Sequence, residues 1–185
     1  MKLASAKLTA RKATAFKSIL NLVIAGFAVI SLSAVGSNAH AQLIDRVTGD
    51  QLEAALSSAN LNPKIISDSA TGAPVAKGKA GQFEFYVRAM SCTGSPSACE
   101  NLMFFANFQL GRGVTAQDYQ IVNQFNESQV FGRAYVIGAK NEVGIDYVVE
   151  LGGGVSEAHL SENIGRWADV ISAFVEKFSA GAASS

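Results

Sequence analysis

Two stretches of this 185-residue chain alternate apolar and polar residues with a period of two. Across residues 82–90, Phe83, Phe85, Val87 and Ala89 fall on one side, and Gln82, Glu84, Tyr86 and Arg88 on the other. Across residues 101–110, Leu102, Phe104, Ala106 and Phe108 share a face, while Met103 and Phe105 take the opposite one. Such alternation predicts half-buried strands, and the short turn between the two predicts an antiparallel hairpin. Residues 131–137 and 143–151 predict a second strand pair joined by Gly138-Ala139-Lys140-Asn141, with Val143, Ile145, Tyr147, Val149 and Leu151 as the inward row of the later strand. Residues 64–67 and 73–79 give two weaker strands.

The helical period appears three times. Leu160, Ile164, Trp167, Ile171, Phe174 and Phe178 recur at spacings of four, three, four, three and four, a continuous apolar stripe behind the cap Ser156 and the first-turn Glu157. Thr48 can cap an earlier helix, with Gln51 at the capping-box position and Leu52, Ala55, Leu56 and Ala59 as its apolar face. Asn60-Leu61-Asn62-Pro63 stops that helix. Between the hairpins, Thr115 can cap a helix with Asp118 three residues on, and Tyr119 or Val122 joins Ile121 and Phe125 in its buried stripe. The order is α-β-β-β-β-α-β-β-α, an α+β fold in which helices cover one face of an antiparallel sheet.

The start of the chain has a different pattern. Five basic residues (Lys2, Lys7, Arg11, Lys12, Lys17) and no acidic one precede an apolar run densest at residues 22–30, which ends at Ala39-His40-Ala41. A basic start, apolar middle and small-x-small end are the marks of a secretory signal peptide over residues 1–41, cleaved between Ala41 and Gln42. Ser18, Asn21, Ser31, Ser33 and Ser37 interrupt the run, and a spanning helix needs about 20 mainly apolar residues, so an uncleaved anchor fits less well. Arg11-Lys12 is not a twin arginine and no cysteine lies near the cleavage point, which favours the general secretory route to the periplasm over lipid anchoring. No later segment has spanning length.

Removal of residues 1–41 takes five cations with it, so Lys+Arg falls from 15 to 10 against 15 Asp+Glu, a net charge of 10 − 15 = −5 over residues 42–185. An acidic domain without a basic cluster is a poor match for nucleic acid or anionic lipid, because phosphate neutralisation supplies most of that affinity. The expected division is one domain over residues 42–180 and a disordered tail over 181–185.

Cys92 and Cys99 flank Thr93-Gly94-Ser95-Pro96-Ser97-Ala98. In an oxidising compartment this short, turn-rich separation reads as a disulfide. A redox-active pair is the weaker reading, since six residues rather than two intervene and no helix start follows. Two thiols and His159 do not make four zinc ligands; no metal and no cofactor is expected.

Catalytic constellations are thin. His159 falls in the first turn of the last helix, where a surface histidine is expected, and there is no Gly-x-Ser-x-Gly string. Glu142, Asp146 and Glu150 lie four apart on one strand, a spacing that suits a solvated sheet face better than an acid–base pair. Gly111-Arg112-Gly113 and Gly152-Gly153-Gly154 precede helix starts and could hold an anion, but match neither phosphate-loop nor dinucleotide fingerprints.

Several strings in order resemble the YbjN-domain family of bacterial sensory transduction regulators. They are Gly81-Gln82-Phe83-Glu84-Phe85-Tyr86-Val87 leading to Cys92, then Leu102-Met103-Phe104-Phe105-Ala106-Asn107-Phe108, then Asn123 with Phe131-Gly132-Arg133-Ala134-Tyr135, and Gly153-Gly154-Val155-Ser156 before the Trp167 helix. The similarity covers about residues 48–178, with a longer joint than usual at residues 126–130. The resemblance implies the fold of type III secretion chaperones, no catalytic residues, a regulatory or chaperone-like role toward a protein or peptide client, and a tendency to pair as homodimers. Arg133 and Tyr135, beside Asn123 and Asn126, are the polar cluster to test; the family string draws attention to them, and the alternative is that Arg133 only ties its strand to the second helix. Three functions are thus expected in descending order: an exported protein- or peptide-binding domain, an envelope sensor with a small ligand between sheet and last helix, and a hydrolase.

Overall fold

The computed structural model describes residues 42–183. The leader, the Ala41 side of the expected cleavage point and residues 184–185 lie outside them. The elements run β1 (Val47–Thr48), α1 (Gly49–Ser58), β2 (Lys64–Ser67), β3 (Pro74–Ala80), β4 (Phe83–Thr93), β5 (Ala98–Gln109), α2 (Ala116–Ser128), β6 (Arg133–Ile137), β7 (Glu142–Glu150) and α3 (Glu157–Ala183), with one turn of 3-10 helix between β6 and β7. The strands form one antiparallel sheet in the order β2-β3-β4-β5-β7-β6, and β1 pairs with the start of β5. The expected α+β order is present; the two-residue β1 is an addition too short to leave a periodic signal.

The predicted strand faces hold. Phe85, Val87, Ala89, Leu102, Phe104, Ala106, Val143, Ile145 and Val149 are all buried in one cluster with Leu52 and Leu56 of α1, Val122 and Phe125 of α2 and the α3 stripe. All three helices therefore pack on the same face of the sheet. Val122 rather than Tyr119 completes the α2 stripe, because Tyr119 is half exposed. On α3, Leu160, Ile164, Trp167, Ile171 and Phe174 are buried, and Phe178 partly so. Trp167 is the centrepiece. Its ring lies 5.7 Å from Phe85 and 5.8 Å from Phe104, and its indole N–H meets no acceptor among the described residues. An aromatic body of this size supplies more burial than any other core residue, which outweighs one unpaired donor.

Gly181 continues α3 and corrects the expected start of the tail. A Cβ at this position would come within 2.7 Å of the Ile121 side chain, and its carbonyl accepts a 2.9 Å hydrogen bond from Gln117. Packing against α2 holds a Gly-Ala stretch helical where composition alone suggests fraying.

Cys92 and Cys99 are bonded and sit directly opposite one another in the β4–β5 register, with Cα atoms 3.9 Å apart. Arg46 reinforces this end of the hairpin, pairing with Glu100 and donating at 2.9 Å to the Thr93 hydroxyl. Closing so short a loop restricts the unfolded chain by about 2.5 kcal/mol. A Cys92→Ala/Cys99→Ala variant is expected to lose about that much stability in urea unfolding, with its native fold retained by circular dichroism. A loss below about 0.5 kcal/mol would show that β1 and Arg46 already close the hairpin without the bond.

Candidate functional site

No helix covers the other face of the sheet among the described residues, and register shows what lies on it. One row runs Ile66, Val75, Arg88, Met103, Val148 across β2, β3, β4, β5 and β7. The next runs Lys64, Lys77, Tyr86, Phe105, Asp146, Arg133. Tyr86 and Phe105 stack with centroids 5.6 Å apart, and the Arg88 guanidinium lies 5.7 Å from the Phe105 centroid. Lys77 pairs with Glu84 at 3.0 Å, a hydrogen bond that raises the lysine pKa. Ile66 and Val148 are 43 % and 44 % exposed. A shallow depression of about 370 Å³ opens here between Ile66, Tyr86, Arg88 and Phe105. A solvated strand face ordinarily carries polar residues; this one carries aromatic and aliphatic groups at its centre and charges around them.

Its far end is polar and tightly bonded. Arg133 donates to both carboxylate oxygens of Asp146, Nε to Oδ1 at 3.1 Å and Nη2 to Oδ2 at 2.5 Å. Asp146 is buried beneath it, which corrects the expectation of a solvated carboxylate row. Glu142 accepts a hydrogen bond from Gln109. Tyr135 crosses β7 and donates to Asn107 Oδ1 at 2.7 Å. Gly144 makes that path available, since a Cβ there would fall 2.4 Å from the Tyr135 ring. A glycine inside a β-branched strand was the available sequence sign of such a close approach.

The four expected polar residues do not form one site. Arg133 and Tyr135 lie on the uncovered face, whereas Asn126 works at the sheet edge. The Asn126 side chain accepts from the Ala134 N–H at 2.8 Å and donates to the Ala134 carbonyl at 3.1 Å. It thereby takes the place of a further strand and closes the β6 edge. Asn123 is exposed on α2, and these bonds do not reach it.

Two features found only in the structure complete the picture. The α2 N-terminus is filled from within: Asp118 accepts from Thr115 N–H (2.7 Å) and hydroxyl (2.9 Å) and is held bidentately by Arg112 at 2.8 and 2.7 Å. Arg112, then desolvation in the opposite sense, then Thr115 set the Asp118 pKa, whose net shift is well below the usual carboxylate range. Arg112 is thus committed to an internal carboxylate. On the helix side, Asn163 is buried and joins Tyr147 to Arg166, whose guanidinium lies 4.2 Å over the exposed Phe131 ring. His159 is exposed, and no cluster of three potential metal ligands occurs among the described residues.

The family profile described as "Putative bacterial sensory transduction regulator", YbjN, matches residues 48–180. The chain belongs to the YbjN family. Among solved structures, "Crystal structure of YbjN, a putative transcription regulator from E. coli" is similar, with a TM-score of 0.53 at 12 % identity over 75 % of this chain and 95 % of that one. At that identity the likeness speaks to the fold, and it agrees with the α+β order. No curated protein matches the chain.

The Tyr135 hydroxyl offers a pH readout of the polar end. Burial first, then the Asp146 charge, push its pKa up to about 12 from 10.0, against an opposing effect of Arg133. A raised folded-state value means that the protonated phenol stabilises the fold. That contribution is complete below pH 10.0 and is lost as pH rises toward about 12. Melting across that interval is expected to show a decline that is shallower in Tyr135→Phe, with phenolate absorbance assigning the transition. Equal slopes in both proteins would place the titrating group elsewhere.

Proposed function

We propose that this YbjN-family domain is an exported, non-catalytic binding protein of the bacterial envelope, which engages an extended protein or peptide segment on the uncovered sheet face. One observation carries the reading: the stacked Tyr86–Phe105 pair with Ile66, Met103 and Val148 forms an apolar patch on a face that no helix covers among the described residues. Contiguous exposed apolar surface marks interaction sites. Arg88 beside the aromatic pair adds a cation for an acidic side chain in the client. Tyrosine, phenylalanine, methionine and arginine are enriched at interface cores, and tyrosine and arginine are frequent anchors there. The chaperone-like role implied by family resemblance points the same way.

Export is supported by the basic-apolar-small leader pattern and by the Cys92–Cys99 bond, which persists in oxidising compartments. The net charge of −5 over residues 42–185, from 10 cations and 15 anions, favours a protein client over nucleic acid. Regulation would then act through protein contact in the envelope.

Tyr86→Ala/Phe105→Ala is expected to melt close to the parent, since neither ring belongs to the buried core, and to lose the complex that the parent forms in envelope extracts. Retention of that complex by the double variant would move the binding surface elsewhere. Intact mass of the envelope form is expected to match a chain beginning at Gln42 with two hydrogens lost to the disulfide.

A second reading rests on a cleft of about 290 Å³ beside the last turns of α3, lined by Phe108, Leu110, Arg112, Val143, Phe174 and Phe178 among others. It is at the small end for ligand sites. A small apolar ligand bound there would raise stability by about 2.7 kcal/mol at a hundredfold excess over Kd. Thermal-shift screening with envelope metabolites separates the two readings: stabilisation abolished by Phe174→Ala or Val143→Trp favours the cleft.

A further inference from the structure

The two edges of the sheet are unlike. Asn126 closes β6 by taking both backbone groups of Ala134. At β2 no side chain among the described residues does this. The Asp68 N–H donates to the Ala73 carbonyl at 2.9 Å, extending the register in which Ser67 faces Pro74 and Ile66 faces Val75. Bonded and non-bonded pairs alternate along an antiparallel ladder. Lys64 and Ile66 therefore direct their backbone groups toward β3, and Ile65 and Ser67 direct theirs out of the sheet. Pro74, which has no N–H, stands opposite Ser67 in agreement with that parity. Among the described residues, no backbone bond outside the sheet reaches Ile65 or Ser67.

We propose that β2 pairs with β2 of a second copy of this chain, antiparallel about a two-fold axis at Ile66, joining two sheets into one. Symmetry and hydrogen-bond parity select the register. A two-fold axis normal to the sheet keeps equivalent residues on equivalent faces, so a one-residue slip is excluded. With Ile66 opposite its own copy, Ile65 lies opposite Ser67 of the second chain, and both outward residues exchange N–H and C=O in four hydrogen bonds. A slip by two residues one way places Ser67 opposite Pro63, which has no donor. The other way places Ile65 opposite Ser69, which belongs to the turn after β2.

The side chains agree with the same register. Ile66, 43 % exposed in the single chain, meets its own copy and continues the row through Val75 and Arg88. Lys64 faces Asp68 of the second copy, an opposite-charge cross-strand pair. Lys64 has no ion-pair partner within the described residues, and Asp68 uses Oδ1 for its own turn, accepting from Ala70, Thr71 N–H and Thr71 hydroxyl at 3.0, 2.9 and 3.0 Å. The strand is short, so the pairing is a concentration-dependent equilibrium. The inference rests on the β2 edge and does not require the binding function proposed above, although Ile66 belongs to both surfaces. It would set two copies of the uncovered face side by side.

Cysteine cross-linking of the purified full chain tests the register directly. Ile66 and its copy form a non-bonded pair, with Cα atoms about 4.5 Å apart, within disulfide reach. Ile66→Cys is expected to give a disulfide-linked dimer under mild oxidation, while Ile65→Cys and Ser67→Cys stay largely single. Ser67→Pro removes two of the four donors without touching a bond to β3, and light scattering is expected to show dimerisation weakened about thirtyfold. A parent that is monomeric at every accessible concentration would overturn the inference. So would cross-linking through Ile65→Cys as efficient as through Ile66→Cys, which would demand another register.

Discussion

Everything in this domain follows from one packing contact, the seating of the α3 stripe on a single face of the sheet. Trp167 lies between Phe85 and Phe104, and Phe174 packs on Phe108 and Phe125, so one helix touches β4, β5 and α2 together. Full burial of a side chain of this kind contributes about 1.5–3 kcal/mol, and the described residues of α3 supply six: Leu160, Ile164, Trp167, Val170, Ile171 and Phe174. With α1 and α2 on the same side, the chain has one core and one helical layer. Nothing among the described residues covers the reverse face, and that asymmetry defines what the molecule can offer a partner.

The reverse face has to survive in water without a cover. It does so partly by internal pairing at its perimeter. Lys77 pairs with Glu84 and Arg133 with Asp146, and Tyr135 folds across Gly144 onto Asn107. The exposed Lys77–Glu84 pair adds little stability, about 0–1 kcal/mol, whereas Arg133 satisfies the buried Asp146 carboxylate. Their shared effect is spatial: they fix the polar rim around Tyr86, Phe105, Met103 and Val148. Arg88 in the middle lies over the Phe105 ring, without a salt bridge among the described residues. Hydrogen bonds from Thr71 and Ala70 lower the pKa of Asp68 at the β2 end, and the Arg88 charge adds to them. An apolar centre with a bonded rim and a central cation has the layout of an interface core, with charges held outward and aromatic groups inward.

Local periodicity was enough for the elements that bury a regular stripe. The alternating residues of β4, β5 and β7 and the heptad-like spacing of α3 each encode their own face, so both faces of the hairpin were legible before any tertiary contact. Neighbour relations between distant strands were not. Nothing in residues 101–110 announces that β5 pairs with β7 rather than with β6, because both candidates show the same apolar rhythm. Side chains that act through geometry were equally hidden. Asn126 reads as a polar helix residue until β6 lies beside it. Arg112 and Asp118 read as a glycine-flanked cation and a helix cap until the loop folds them together, and that pairing empties the anion-site reading of Gly111-Arg112-Gly113. Asp146 looked solvated because alternation assigns a face but cannot say what Arg133 will cover.

The two sheet edges show how such hidden geometry bears on association. A strand edge is a standing invitation to pairing, and proteins usually close it with charge, proline or a covering group. At β6 an amide side chain stands in for backbone at Ala134. At β2 the defences are partial: the strand is four residues long and carries Lys64, but Ile66 is exposed and its neighbours' amides and carbonyls point outward. The strand order places this open edge beside the aromatic rows rather than at the polar end, since β2 adjoins β3 and β4 while β6 adjoins β7. Any strand added at β2 would therefore extend the apolar rows on the uncovered face, and the row through Ile66 would gain from it most. Edge and face are for that reason physically coupled. A partner that lies on Tyr86 and Phe105 and a partner that pairs with Ile65 and Ser67 compete for, or share, one continuous surface.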